Sequence, residues 1–261
     1  MRYVVTTLGV VAILALTYCG LISNTSALSA TVMVNIALAA CAVLIRHATP
    51  IRKREKKQLG EAEVLHLASQ FILLWLGAQM LAVGAYSLVG SANFDQHFTH
   101  GEHPIALIVF TALVVAPVCE EVLMRGLIYP LLRFKLSGLI SGLLSSALFA
   151  LIHANIVQII VAFALGLFLA AVYERTNTLW HVIAFHVLFN TLSLFIPASA
   201  VVDILGVAFV PAMTFAIILV AFTLSAAWFQ TLNPKAKGLN RAQSSAGREA
   251  ANERSEPQVL G

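Results

Sequence analysis

Apolar runs of about twenty residues alternate with short polar breaks along most of this chain. A helix rising ~1.5 Å per residue needs about 20 residues to cross ~30 Å of hydrocarbon, so each run predicts a membrane-spanning helix. The runs fall at about Tyr3–Ile22, Ala27–Ile45, Val64–Val89, Pro104–Phe134, Ser137–Ala154, Ile156–Tyr173, Thr178–Ile196 and Ile204–Phe229. From Thr231 to Gly261 the chain becomes polar and rich in Ala, Ser and charge, which predicts a disordered cytoplasmic tail. The expected fold is all-α: a polytopic membrane helical bundle of about eight transmembrane helices over residues 1–230, followed by the tail at 231–261. Arg2 and the apolar run behind it look like a signal peptide, but the run continues to Ile22 and Tyr18 is bulky where cleavage needs a small residue. A retained first helix is expected.

Composition agrees with the pattern. Of the 261 residues 59% are hydrophobic and only 11% charged, against about a quarter charged in a soluble domain. The net charge of +4 does not indicate nucleic acid, because the charges sit in short breaks rather than on one basic face. The strongest run holds Arg46, Arg52, Lys53, Arg54, Lys56 and Lys57. If it is cytoplasmic, eight spans place both termini in the cytoplasm, and the breaks at 23–26, 90–103, 154–155 and 197–203 face outward. Those breaks contain no Lys or Arg, so all 16 basic residues fall inside or, for Arg125, within a span. A cell-membrane, multi-pass protein is expected, with the lipid bilayer as its first partner. Cys19, Cys41 and Cys119 all lie in apolar runs and suggest packing residues rather than a disulfide framework.

One span breaks the avoidance of charge. Between Ala116 and Pro130 it carries Glu120, Glu121 and Arg125. Each ionisable group at that depth costs on the order of 3 kcal/mol by insertion scales, so such groups are functional candidates. Glu121 and Arg125 are four residues apart and can pair on one face. Glu120 lies ~100° around the helix and is left free for chemistry. The alternative is a buried packing network involving all three. On two further spans, His153 follows Phe149 by one turn, and His186 precedes Asn190 by one turn. His181, beside Trp180, projects elsewhere.

Glu120-Glu121-x-x-x-Arg125, Phe149-x-x-x-His153 and His186-x-x-x-Asn190, with Trp180-His181 before the third, resemble the three-part signature of the CPBP intramembrane proteases. That family includes type II CAAX prenyl endopeptidases and bacteriocin-immunity relatives, and the likeness covers about Pro104–Ile196, the expected catalytic core. It implies an endopeptidase acting on a membrane-associated or lipidated protein, with catalytic candidates Glu120, Glu121, Arg125, His153, His186 and Asn190. Two schemes stay open. In one, Glu120 is the general base, His153 holds the water, and His186 and Asn190 stabilise the oxyanion. In the other, Glu120, His153 and His186 hold a divalent metal such as zinc. The side-chain amide of Asn190 suits an oxyanion donor better than a zinc ligand.

Depth constrains either scheme. Counted from Ser137, His153 comes out near the external side, so meeting Glu120 requires a short fifth helix whose turn stays buried, with Asn155 serving a wet pocket. A transporter with proton- or metal-binding glutamates and histidines is a competing reading, although no internal repeat is visible. A non-catalytic immunity or regulatory protein is another.

Overall fold

The computed structural model describes residues 2–22, 27–50, 56–57, 59–89, 104–153, 156–196 and 209–232. Among these lie eight helices: α1 (Arg2–Ile22), α2 (Ala27–Ala48), α3 (Glu61–Val89), α4 (Ile105–Arg133), α5 (Gly138–Leu151), α6 (Ile156–Thr176), α7 (Leu179–Phe195) and α8 (Phe209–Leu232). They coincide with the eight expected runs to within a few residues. Four of them, over 29–48, 61–85, 105–133 and 156–176, are long and apolar enough to cross a membrane. With α5 at 14 residues, a rise of about 21 Å, the expectation of a short fifth helix is met. The expected tail, the polar segment at 90–103 and Asn155 lie outside the described residues.

The bundle is organised around α6, whose residues 164–173 are buried on every side. A helix apolar all round belongs in the middle of a bundle, and α3, α5, α7 and α8 all pack on it. Small side chains set the approach. Gly166 of α6 lies against Ser146 and Phe149 of α5, and Ala162 packs in the same cluster as Phe149 and Ala150, with Ser141, Ser145 and Ser146 of α5 buried beside them. Close backbone approach of this kind drives helix association where no water remains to be excluded. On the opposite side, Phe71 of α3 packs against Phe168 of α6 and Phe185 and Phe189 of α7, with ring centroids 5.2 to 6.4 Å apart.

Polar contacts tie the bundle at both ends. At one end, Trp75 and Gln79 of α3 donate to Ser193 at 3.1 and 3.2 Å, and Gln79 also caps α7 by donating to the Ile196 carbonyl at 3.1 Å. At the other, Glu174 of α6 accepts from Tyr129 at 2.7 Å and pairs with Arg133 at 3.2 Å, fastening the end of α4. There α6 stops at Asn177, whose φ of 50° is the left-handed turn that ends many helices and that Asn tolerates. Ser137 caps α5 by accepting from the Ile140 amide. The three cysteines are free thiols.

The expected fourth span is one continuous helix, but not a regular one. Residues 111–115 and 124–128 are wound as π-helix, on either side of the segment carrying both glutamates. Ala116 N–H bonds to Thr111 O, and Tyr129 N–H to Met124 O, each five residues back. A proline follows each π turn by two residues, at 117 and 130. Proline has no N–H and clashes with the carbonyl four residues before it, which is relieved by widening the preceding turn.

A β-carbon at Gly166 would lie 3.0 Å from Ser146 Cβ and 3.2 Å from Phe149 and from the Ser146 backbone, whereas one at Gly126 would find only ordinary contacts at 3.8 Å and beyond. Gly166→Ala is predicted to destabilise the protein by about 1–3 kcal/mol through overpacking. Gly126→Ala should be near neutral. Thermal unfolding of both variants in detergent checks the contrast.

Candidate active site

At the middle of α4 the helix period sends Glu121 and Arg125 toward α6 and α7. They pair as expected, Arg125 Nη1 donating to Glu121 Oε1 at 3.0 Å, and both side chains are completely buried. Two further contacts were not foreseen. Arg125 Nη2 donates to the Gly166 carbonyl of α6 at 2.6 Å. His186 Nδ1, on α7, donates to Glu121 Oε1 at 2.9 Å. Because Gly166 has no side chain, the guanidinium can reach its backbone. Phe149 of α5 completes the enclosure, with the guanidinium carbon 5.4 Å from the ring centre, a cation–π contact strengthened by desolvation. The pair therefore does more than prop one helix: it joins four.

The chemistry follows from the imidazole. Donation from Nδ1 to a carboxylate fixes the ring and leaves Nε2 as the working nitrogen. Nε2 lies 3.7 Å from Glu120 Oε2, too far for a direct hydrogen bond but close enough for one water to bridge both. The expectation that the two glutamates serve different faces needs refinement, since they address the two nitrogens of the same ring. Their roles still differ. Glu121 is sealed in, while the Glu120 side chain keeps 13% of its surface accessible.

Asn190 is one turn beyond His186 on α7, as expected, and its Nδ2 donates to the Ala112 carbonyl of α4 at 2.9 Å. The π turn explains why that carbonyl is open. Ala116 N–H is directed to Thr111 O, and Pro117 has no N–H to offer. One proton of the Asn190 amide thus serves as a strut between α7 and α4, and the other remains for a ligand.

His153 follows the end of α5 by two residues and is half-buried. Its Nδ1 bonds back to the Phe149 carbonyl at 2.9 Å. Its ring packs edge-on against Phe149 with centroids 5.1 Å apart, and His186 packs on the same ring at 5.6 Å. His153 therefore joins the constellation through Phe149, not by a direct polar contact with Glu120 or His186 among the described residues. His181 stands apart from the site near the start of α7, beside an exposed Trp180.

The metal scheme calls for Glu120, His153 and His186 around one point. Among the described residues no three His, Cys, Asp or Glu side chains gather in that way. With Phe149 packed against both imidazoles and His153 making no polar contact with Glu120 or His186 among the described residues, these three donors do not converge on one point as a metal would require.

Sequence reasoning named Glu120, Glu121, Arg125 and His186, which the structure brings together. It missed the Gly166 carbonyl, the Ala112 carbonyl and the central place of the Phe149 ring. Pro117 and Pro130 were the available signals for irregular winding, and a glycine in an otherwise bulky buried helix marked the backbone approach. Removing one partner of a buried ion pair leaves the other charge uncompensated, at about 3–5 kcal/mol. Glu121→Gln is predicted to lower stability by that order, while Glu120→Gln should change it by less than about 1 kcal/mol. Unfolding in detergent, followed by circular dichroism, separates the two.

Residues 102–192 match the family model described as type II CAAX prenyl endopeptidase Rce1-like. All six candidate residues lie within that segment. A curated protein of Bacillus subtilis (strain 168), named "Putative membrane peptidase YdiL", is 25% identical over 143 residues, covering 54% of this chain and 59% of the relative. The chain thus spans about three fifths of the length of the curated relative it matches. No solved structure matches it. The matched segment carries all of the signature residues and is similar to the type II CAAX prenyl endopeptidases of the CPBP family, and together with the four helices long and apolar enough to cross a membrane this likeness points to an integral membrane protein.

Proposed function

We propose that this protein is an intramembrane endopeptidase in which Glu120 activates the attacking water. The observation that carries the reading is the asymmetry of the two glutamates about His186: Glu121 is sealed into an ion pair with Arg125, while Glu120 faces Nε2 at 3.7 Å and stays accessible. A water bridging Glu120 and His186 gives up a proton to Glu120 as its oxygen adds to the scissile carbonyl carbon. The carbonyl oxygen becomes an oxyanion. His186, with Nδ1–H spent on Glu121, holds the water through Nε2, and the second amide proton of Asn190 is the donor for that oxyanion. Glu120 then passes its proton to the departing amine nitrogen as the C–N bond breaks. His153 keeps Nε2 available for the water while Nδ1 is tied to Phe149.

The proposed substrate is a membrane-associated or lipidated protein, in keeping with the prenyl endopeptidase description of the matching family. Its scissile bond reaches α4 from between the helices. In the proposed orientation the basic turns of the bundle lie in the cytoplasm. The site is not suited to a soluble peptide, because it lies halfway along α4 among apolar helices.

The test uses the full chain reconstituted in nanodiscs, with a farnesylated CAAX peptide and its unprenylated counterpart as substrates. Glu120→Gln is predicted to lower kcat by about 10²–10⁴-fold with an unchanged thermal midpoint. Cleavage that persists in the variant would rule out Glu120 as the base. A folded wild-type protein that cleaves neither peptide, nor any peptide of a transmembrane library, would leave the scaffold reading standing instead.

A further inference from the structure

A cavity of about 920 Å³ opens away from the glutamate pair, between the end of α2, the far half of α4 and the turn joining α6 to α7. Its polar lining is basic: Arg46 and His47 close α2, Lys56 comes from the segment after it, and Arg133 from the last turn of α4. Among the described residues no Asp or Glu lines it. Arg133 is balanced by Glu174 at 3.2 Å. Neither Arg46 nor Lys56 forms an ion pair among the described residues, whereas the neighbouring Lys57 pairs with Glu63. Two cations thus face one pocket with no carboxylate paired to them among the described residues. Toward the middle of the bundle, the lining turns apolar at Val43 and Val122.

We propose that this cavity is a binding site for one anionic phospholipid, its phosphate held at the mouth by Arg46 and Lys56 and an acyl chain lying along Val43 and Val122. Three features favour a lipid over a soluble anion. Arg46 sits at the end of α2 and Lys56 in the segment beyond it, where the level of headgroups falls; the apolar part continues from them along Val43 and Val122; and the pocket opens between helices that carry exposed apolar faces. The cavity is separate from the catalytic constellation, since Val122 and Gly126 occupy other faces of α4 than Glu121 and Arg125. The inference does not depend on the protein being a protease.

Native mass spectrometry of the delipidated full chain in detergent, titrated with phosphatidylglycerol or phosphatidylcholine, tests the site. One phosphatidylglycerol is expected to bind about tenfold more tightly than phosphatidylcholine, from roughly a fewfold per basic side chain near the headgroup. Arg46→Gln/Lys56→Gln should abolish that preference, and Lys135→Gln, an exposed lysine outside the cavity, should keep it. Val43→Trp, which fills the apolar part without altering charge, should weaken retention of both lipids. It also supplies the test if the double variant does not fold. The proposal fails if the wild type shows no preference, if the preference survives in the double variant, or if Val43→Trp retains lipid normally. It fails equally if millimolar inorganic phosphate or a hexaglutamate peptide displaces phosphatidylglycerol completely, since the site would then be one for a bare phosphate or an acidic chain.

Discussion

A fully buried ion pair at the junction of four helices governs the rest of this structure. Glu121 and Arg125 neutralise one another on α4, but neither is satisfied by that contact alone. The guanidinium also needs the Gly166 carbonyl of α6 and the face of Phe149 on α5, and the carboxylate also takes the Nδ1 proton of His186 on α7. In hydrocarbon, each unmet polar group costs several kcal/mol, so the helices are held where these contacts are made together, leaving Glu121 Oε2 and Arg125 Nε as the buried atoms of the pair without a partner among the described residues. The pair is weak evidence for stability in itself. It is strong evidence for one arrangement of α4, α5, α6 and α7 over others, because sliding any of them would expose a charge.

The irregular winding of α4 follows from its prolines and shapes the site beside that junction. Pro117 cannot donate, the π turn before it redirects Ala116, and the Ala112 carbonyl is left for Asn190. A regular α-helix would occupy that carbonyl, and α7 would lose its strut. Pro130 similarly follows the π turn containing Arg125. The two glutamates thus sit between two widened turns, and Arg125 lies in the second. Irregular helical winding of this kind often accompanies functional sites and is tolerated inside a bundle.

The two ends of the bundle differ in kind. Near the end of α7, the fastening is neutral, from Trp75 and Gln79 to Ser193 and the last carbonyls of the helix. At the other end it is charged, with Glu174 gathering Tyr129 and Arg133 and the Lys57 amide bonding to the Thr176 carbonyl. That charged end also holds the basic cavity. Its basic lining is therefore part of a wider asymmetry in where the described residues put their polar groups.

The eight helices and their limits were legible in the sequence because bilayer thickness fixes helix length and hydrophobicity marks each run. The pairing of Glu121 with Arg125 was legible too, since a spacing of four residues is a property of one helix. Glu120 could be singled out from Glu121 by the same period. What no local rule contains is that both glutamates address opposite nitrogens of one imidazole, 65 residues away along the chain. Nor could a depth count from Ser137 decide where His153 belongs: it reaches His186 only through Phe149, a contact made by the packing of α5 against α6 and α7. Helix period and hydrophobicity are local quantities and can be read from the chain. The meeting of side chains from four helices depends on how small residues such as Gly166 let backbones approach, and only the folded bundle determines that distance.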